Sequence, residues 1–512
     1  MHFLKKYLLI SVAFCTSISF AQTPSKTIEF SANKVKYVRD KGAQMLIGNV
    51  VFKHEGATIT CDSAYKFENN TLDAYSHIVI KKGDSLTITG DNLHYDGNKK
   101  LALLDGNVVC VEKDMRLTTP SMTYDVSNSV ASYFAGGTII NKDNILTSKS
   151  GYYYSATKTI AFKHTVKLVN PKYKVVGDTL LYNTLSKTIY FVGPTNMLSN
   201  ENKIYCEYGW YNTETEKSHL NTNAVIYYKK NELHADSIYY DRKAGYGRAY
   251  SCVQLKDTAN KSELLGDLAE HFENKGVSIV TKNAVLIKLM EKDSILLSAD
   301  TLYSQQLKRK ASLKDSLIND SLISDSVIIR AYKHVKLYKK DLRGIADSLR
   351  YTSSDSTLTL YNSPILWSDS AQLNAREIKV HVANKALHSF ELTGNAFIIT
   401  QEDSLKFNQI KGKEITGTFL NDTIDKIHVT GNAQVAYFIK NENKQLSAYS
   451  KTNCTYLTVY FKKGEMDRMT FINKPVSALI PVKEVDPVKE RFKGFNWNPQ
   501  KKPQSKNELL KF

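Results

Sequence analysis

Cysteine, proline and tryptophan are scarce in this 512-residue chain, at 6, 10 and 3 residues. Cys15 falls in a leader-like start, and the remaining five, Cys61, Cys110, Cys206, Cys252 and Cys454, are an odd number that cannot close a full disulfide framework. Their spacing is unlike that of zinc clusters, so most are read as small buried apolar residues. No apolar run beyond the leader is long enough for a membrane helix. A sustained helical period is also missing, with weak candidates only near 262–273 and 307–321. There is no G-x-S-x-G, no H-E-x-x-H and no carboxylate pair set apart from the rest, so no enzyme, metal or cofactor is expected.

Acidic excess is lacking too, since the formal charge is +18. Residues 1–21 read as a secretory signal peptide: Lys5 and Lys6, an apolar stretch, then small residues to Ala21. Phe14 stands where a lipoprotein site before Cys15 wants a small residue. Loss of the leader leaves 67 basic against 51 acidic residues, a net +16 that suits a polyanionic partner such as lipid phosphates. The lysines are scattered, which argues against a nucleic-acid stripe.

What the chain does have is a period. From Asp62, steps of 29 reach Asp91, Pro120, Lys149, Asp178, Glu207 and Asp236. Three places before each stop stand Ile59, Ile88, Leu117, Leu146, Val175, Ile204 and Leu233, and four places after come Lys66, Tyr95, Tyr124, Tyr153, Tyr182, Tyr211 and Tyr240. Further inward columns are expected at Tyr75, Leu104, Tyr133, Phe162, Phe191, Leu220 and Ala249, and at Lys81, Cys110, Ile139, Leu168, Met197, Ile226 and Leu255. Short alternating runs rich in β-branched and aromatic residues make the class all-β, with each unit one layer of a stacked, solenoid-like array. Gly48-Asn49, Gly106-Asn107 and Gly193-Pro194 mark recurrent corners, where Gly and Asn reach positive φ and Pro fixes it. Pro120 and Lys149 interrupt the acidic column, which is therefore read as turn-capping rather than as a cation ladder.

After Asp236 the stops become Asp267, Asp300, Asp347, Arg376 and Lys413, at gaps of 31, 33, 47, 29 and 37. The organisation expected is a leader at 1–21, regular repeats at 22–260, a continuation with insertions at 261–480 including a loop about 304–326, and an extended Pro/Lys-rich tail at 481–512.

Tandem G-N-[VA] turns stand at Gly48, Gly106, Gly394-Asn395-Ala396 and Gly431-Asn432-Ala433, and a short strand leading into a form of aliphatic-x-x-D-[ST]-aliphatic-x-Y follows in Gly48 through Asp62 and in Gly106 through Tyr124, where Pro120 holds the Asp place. Behind a signal peptide, this series resembles the OstA/LptA-type lipopolysaccharide-transport proteins. The resemblance implies an elongated β-jellyroll open on one side, whose apolar groove holds the acyl chains of lipopolysaccharide (lipid A) in the periplasm. It also implies inner- and outer-membrane export components as partners, with head-to-tail self-association. The chain departs from the family in its greater length and in its tail. The candidate groove lining is Ile59, Ile88, Leu117, Leu146, Val175, Ile204, Leu233, Phe162, Phe191, Leu168 and Ile226. Two other readings are an exported glycan-binding β-solenoid and an outer-membrane β-barrel. The barrel is opposed by apolar runs that stop at lysines after three to six residues, short of the nine to eleven needed to cross a bilayer.

Overall fold

The computed structural model describes residues 27–510 apart from 84–85, 201, 291–292, 308–325, 369, 384–385, 421–422, 444 and 463–464. The leader and most of the 304–326 insertion lie outside the described residues. The chain divides into two compact units, one ending at Pro171 and one beginning at Lys172, a division that falls inside the stretch read as regular.

The repeat is a pair of strands. Ala57–Phe67, Leu86–Asp96, Met115–Asp125, Tyr173–Asn183, Asn202–Asn212 and Asn231–Asp241 each hold 11 residues, and their starts fall in the 29-residue register. Twelve-residue strands such as Thr71–Lys82, Leu101–Glu112 and Lys217–Tyr228 alternate with them. Each strand pairs antiparallel with its neighbours in sequence, so one period climbs two strand levels, roughly 9–10 Å. The half-strand runs of three to six residues seen in the sequence are the two halves of these longer strands.

The register residue is the midpoint of each 11-residue strand. Asp178 drops out of the ladder, with the register shifting between Gly177 and Thr179. On the following strand two successive residues adopt left-handed φ, as at Gly106 (79°) and Asn107 (47°), or Thr222 (59°) and Asn223 (54°). Such backbone costs roughly 1 kcal/mol or more where there is a Cβ, and least for Gly and Asn. A Cβ on Gly106 would sit 2.6 Å from Asp91 Oδ2, so glycine is required there for space as well. The acidic column locks these corners. Asn107, Asn223, Asn283 and Asn362 donate through Nδ2 to Asp91, Glu207, Asp267 and Asp347 at 2.7, 2.7, 2.8 and 3.0 Å. His77 pairs with Asp62 at 2.6 Å and His334 with Asp300 at 2.9 Å.

Each strand therefore bends at a corner into two arms. The bend also shifts the phase of the alternation: Leu86, Ile88 and Gly90 are buried before Asp91, and Leu93 and Tyr95 after it. Both arms thus turn their apolar side to the same interior, as a bulge permits and a plain strand does not.

In the first unit, Glu29–Ser31 and Lys34–Val38 pair with opposite halves of Ala43–His54, and the meander ends with Thr159–Asn170. Tyr75 and Lys81 face outward, and Ala74 and Ile80 take the inward places. The cause is a left-handed pair at Ser76-His77, 14 residues after the register stop instead of the 15 seen at Asp91 and Gly106.

The second unit runs from Tyr173–Asn183 to Val476–Pro481 with the same corners. Ser262–Phe272, a weak helix candidate, is a strand centred on Asp267. From Val280 to Val459 the interior is solid core, including Leu349, Phe390, Leu392, Ile415 and Leu457. The tail is packed down. Ile398 faces that core, and its neighbours Phe397 and Ile399, on the opposite face, meet Phe492, Phe495 and Trp497 of the tail. Gln409 donates to Glu490 O and accepts from the Phe492 amide, Gln372 donates to Asn496 O and accepts from the Asn498 amide, and Lys336 pairs with Glu508 at 2.8 Å. Lys506–Leu509, capped by Ser505, closes the tail.

Candidate functional site: an apolar trough between two arms

Within each unit the aliphatic column is continuous in space. Across the first unit, Ile59, Ile80, Ile88, Cys110, Leu117, Ile139, Leu146 and Leu168 are direct cross-strand neighbours. In the second unit the row runs Val175, Met197, Ile204, Ile226, Leu233, Leu255, Leu264, Leu286 and Leu297. Phe162 and Phe191 belong to the other arm. Phe162 sits beside Gly151, which in turn sits beside Tyr133, and Phe191 lies between Leu180 and Gly209. All eleven candidate lining residues therefore face an interior.

They do not face it equally. Ile59, Ile88, Leu117, Leu146, Val175, Phe162, Phe191 and Leu168 are buried at 8 % exposure or less. Ile204, Ile226 and Leu233 are half-buried, as are Met197, Leu255, Leu264 and Leu286 in the same row. Burial returns at Leu297 and Leu337. Residues 197–286 thus present a stretch of apolar row that is partly open to solvent, followed by solid core.

The first unit closes its interior with polar contacts that spacing gave no way to see. Residues 50–54 belong to one arm and 91–96 to the other, yet His54 Nδ1 and Tyr95 Oη are 2.6 Å apart and both side chains are buried. Glu55 meets Lys100 at 3.2 Å. Lys82 donates to Val126 O at 2.9 Å and Ser129 Oγ at 3.2 Å, and Lys158 donates to Glu112 Oε1 at 2.8 Å. Each tie joins the tip of one arm to the tip of the other about three strands on, so together they lace the mouth. Burial pushes the Tyr95 and Tyr153 phenols up to about 12, with Glu112 adding to the effect at Tyr153. In the second unit Tyr182, Tyr211 and Tyr240 are half-buried and their phenols are also raised by burial. Cys61, Cys110 and Cys206 are buried as the composition implied, their thiols raised by burial to about 11, 12 and 12, whereas Cys252 is exposed.

Apolar walls inside and polar residues outside are the reverse of a membrane barrel, whose lipid-facing side is the outer one. Residues 27–178 match the family described as OstA-like protein. This segment resembles the OstA-like family. The match takes in the laced mouth and ends at the corner of Tyr173–Asn183. A search of curated proteins gives no match. Among solved structures, LptH of Pseudomonas aeruginosa, titled the LptA-homologous periplasmic component of a conserved lipopolysaccharide transport device, is 12% identical over 31% of this chain and 80% of its own, with a TM-score of 0.09. Such a superposition is too poor to argue from.

Proposed function

We propose that the chain is an exported lipopolysaccharide-binding and transport protein. It shelters acyl chains in the apolar trough, leaves phosphates and sugars in water, and acts in the periplasm with inner- and outer-membrane export components to build the outer membrane. The observation that supports this most is the half-buried row Met197, Ile204, Ile226, Leu233, Leu255, Leu264 and Leu286, an apolar strip left partly open to solvent in a basic chain with an OstA-like segment. Burial of acyl chains is worth about 0.8 kcal/mol per CH₂, and movement between equivalent layers changes little buried area, so a lipid would be held yet free to slide.

Photocrosslinkers at Ile204 and Leu233 are expected to capture lipopolysaccharide in cells, and one at the outward Lys203 is not. Silence at the first two with labelling at Lys203 would reject the trough. A second reading, glycan binding, draws on an outer-face ladder in which Tyr190, Trp210, His219 and Tyr239 are successive cross-strand neighbours, with Trp210–His219 and His219–Tyr239 ring centroids each 6.3 Å apart. Retention on delipidated glycan that is lost in Trp210→Ala, with no lipid capture at Ile204, would favour it.

A further inference from the structure

The corner lock changes sign near the end of the meander. At Asp91, Glu207, Asp267 and Asp347 a carboxylate accepts from the amide of a left-handed asparagine. At the next two corners the register residue is Arg376, then Lys413, while the facing left-handed pairs remain Gly394-Asn395 (78°, 53°) and Gly431-Asn432 (76°, 50°). The donors of the motif are thus kept and its acceptor is replaced by a cation. Lys149 breaks the column earlier, but it faces His164-Thr165, which offers no amide.

These two corners border one cleft of about 710 Å³, lined by Arg376, Lys411, Lys413, Asn395, Asn432 and Asn453 with glycine backbone between them, and, among the described residues, by no carboxylate. The glycines make the space. A Cβ on Gly394 would lie 3.2 Å from Arg376 Cβ and 3.3 Å from its Nε, and one on Gly431 would lie 3.1 Å from Lys413 Cβ. Lys411 is already held by Lys493 O at 2.7 Å, which leaves Arg376 and Lys413 as the cations facing the two asparagines. Arginine offers a planar fork that matches phosphate oxygens two at a time, lysine a point charge, and the amide N–H groups supply direction.

We propose that this corner cleft binds a phosphate-type oxyanion. The anion occupies the place that the register carboxylate holds at the acidic corners, accepting from Asn395 and Asn432 and neutralising Arg376 and Lys413. The site lies on the corners, away from the apolar trough, and does not depend on the lipid-transport reading.

The test is calorimetric titration of the full chain with pyrophosphate, for the wild type and for Arg376→Asp/Lys413→Asp. The double variant recreates the acidic corner found elsewhere, so it is expected to fold with an unchanged or raised melting temperature and to bind pyrophosphate at least about tenfold more weakly. Arg376→Lys should retain part of the binding. Equal affinity in the double variant, or no heat from the wild type at millimolar pyrophosphate, would overturn the proposal. Co-sedimentation with lipid A vesicles then separates the sources. A drop in the double variant assigns the oxyanion to a lipid headgroup, and unchanged sedimentation alongside lost pyrophosphate binding assigns it to a soluble phosphate compound.

Discussion

The first unit and the 197–286 stretch of the second are built from the same strands, corners and aliphatic row, yet one interior is shut and the other half open. In the first, Ile88 has 0 % exposure and polar ties cross the mouth. In the second, Ile204 and Leu233 are half-buried. The repeat alone therefore does not set access to the interior. Access depends on what stands at the tips of the arms, where His54, Lys82 and Glu112 meet partners 41 to 47 residues away.

The largest effect that would break this comparison is a charge in the row. Ile88→Asp should cost more than about 4 kcal/mol, since the carboxylate has no water and no partner, whereas Ile204→Asp should cost about 1–2 kcal/mol. Urea unfolding of the two variants checks this, and equal losses would mean that both interiors are equally closed. Phe492→Ala should cost about 3 kcal/mol and loosen only the second unit, visible as faster amide exchange around 397–449 with the first unit unchanged. Glu112→Ala removes the partner of Lys158 and should cost about 1–3 kcal/mol. It should also speed maleimide labelling of Cys110, the buried thiol of the first row, and an unchanged rate would show that the tie does not guard the mouth. Smallest is His77, whose imidazole is exposed and held above its usual value of 6.5 by the hydrogen bond to Asp62. A raised folded-state value means that the contact contributes below the unfolded-state value and is lost as pH rises through the folded one. An NMR titration should show this elevation, and Asp62→Asn should abolish it.

The fold was legible because the register residue sits at the same place on every short strand, so Asp91, Asp178 and Asp236 carry a signal that needs no alignment. The aliphatic column was legible for the same reason. Tyr75 was misplaced because a corner one residue early inverts alternation, and composition does not register a shift of one. The corner phase shift also hid the strand length, since Ile88 and Tyr95 stand seven apart on one strand and both face inward. The ties at the mouth were not legible, since each joins unlike residues three strands apart and leaves no period. Nor was the docking of Phe492 and Trp497, because contacts more than 80 residues apart have no local trace.

The gap of 47 between Asp300 and Asp347, read from the sequence as an insertion, leaves the pairing of the flanking strands intact. Ser294–Leu307 and Ser326–Tyr338 pair from Leu307↔Ser326 to Leu296↔Tyr338, and the excess of 47 over 29 is shared between these lengthened strands, of 14 and 13 residues, and the segment 308–325 that joins them. Ala386–Gln401 and Thr423–Lys440 grow the same way, reaching 16 and 18 residues by lengthening outward from corners that stay where they were. The corner is a fixed datum, and new sequence is added at the free rim. Such a chain can acquire recognition segments by grafting at hairpin tips, without renegotiating the stack beneath.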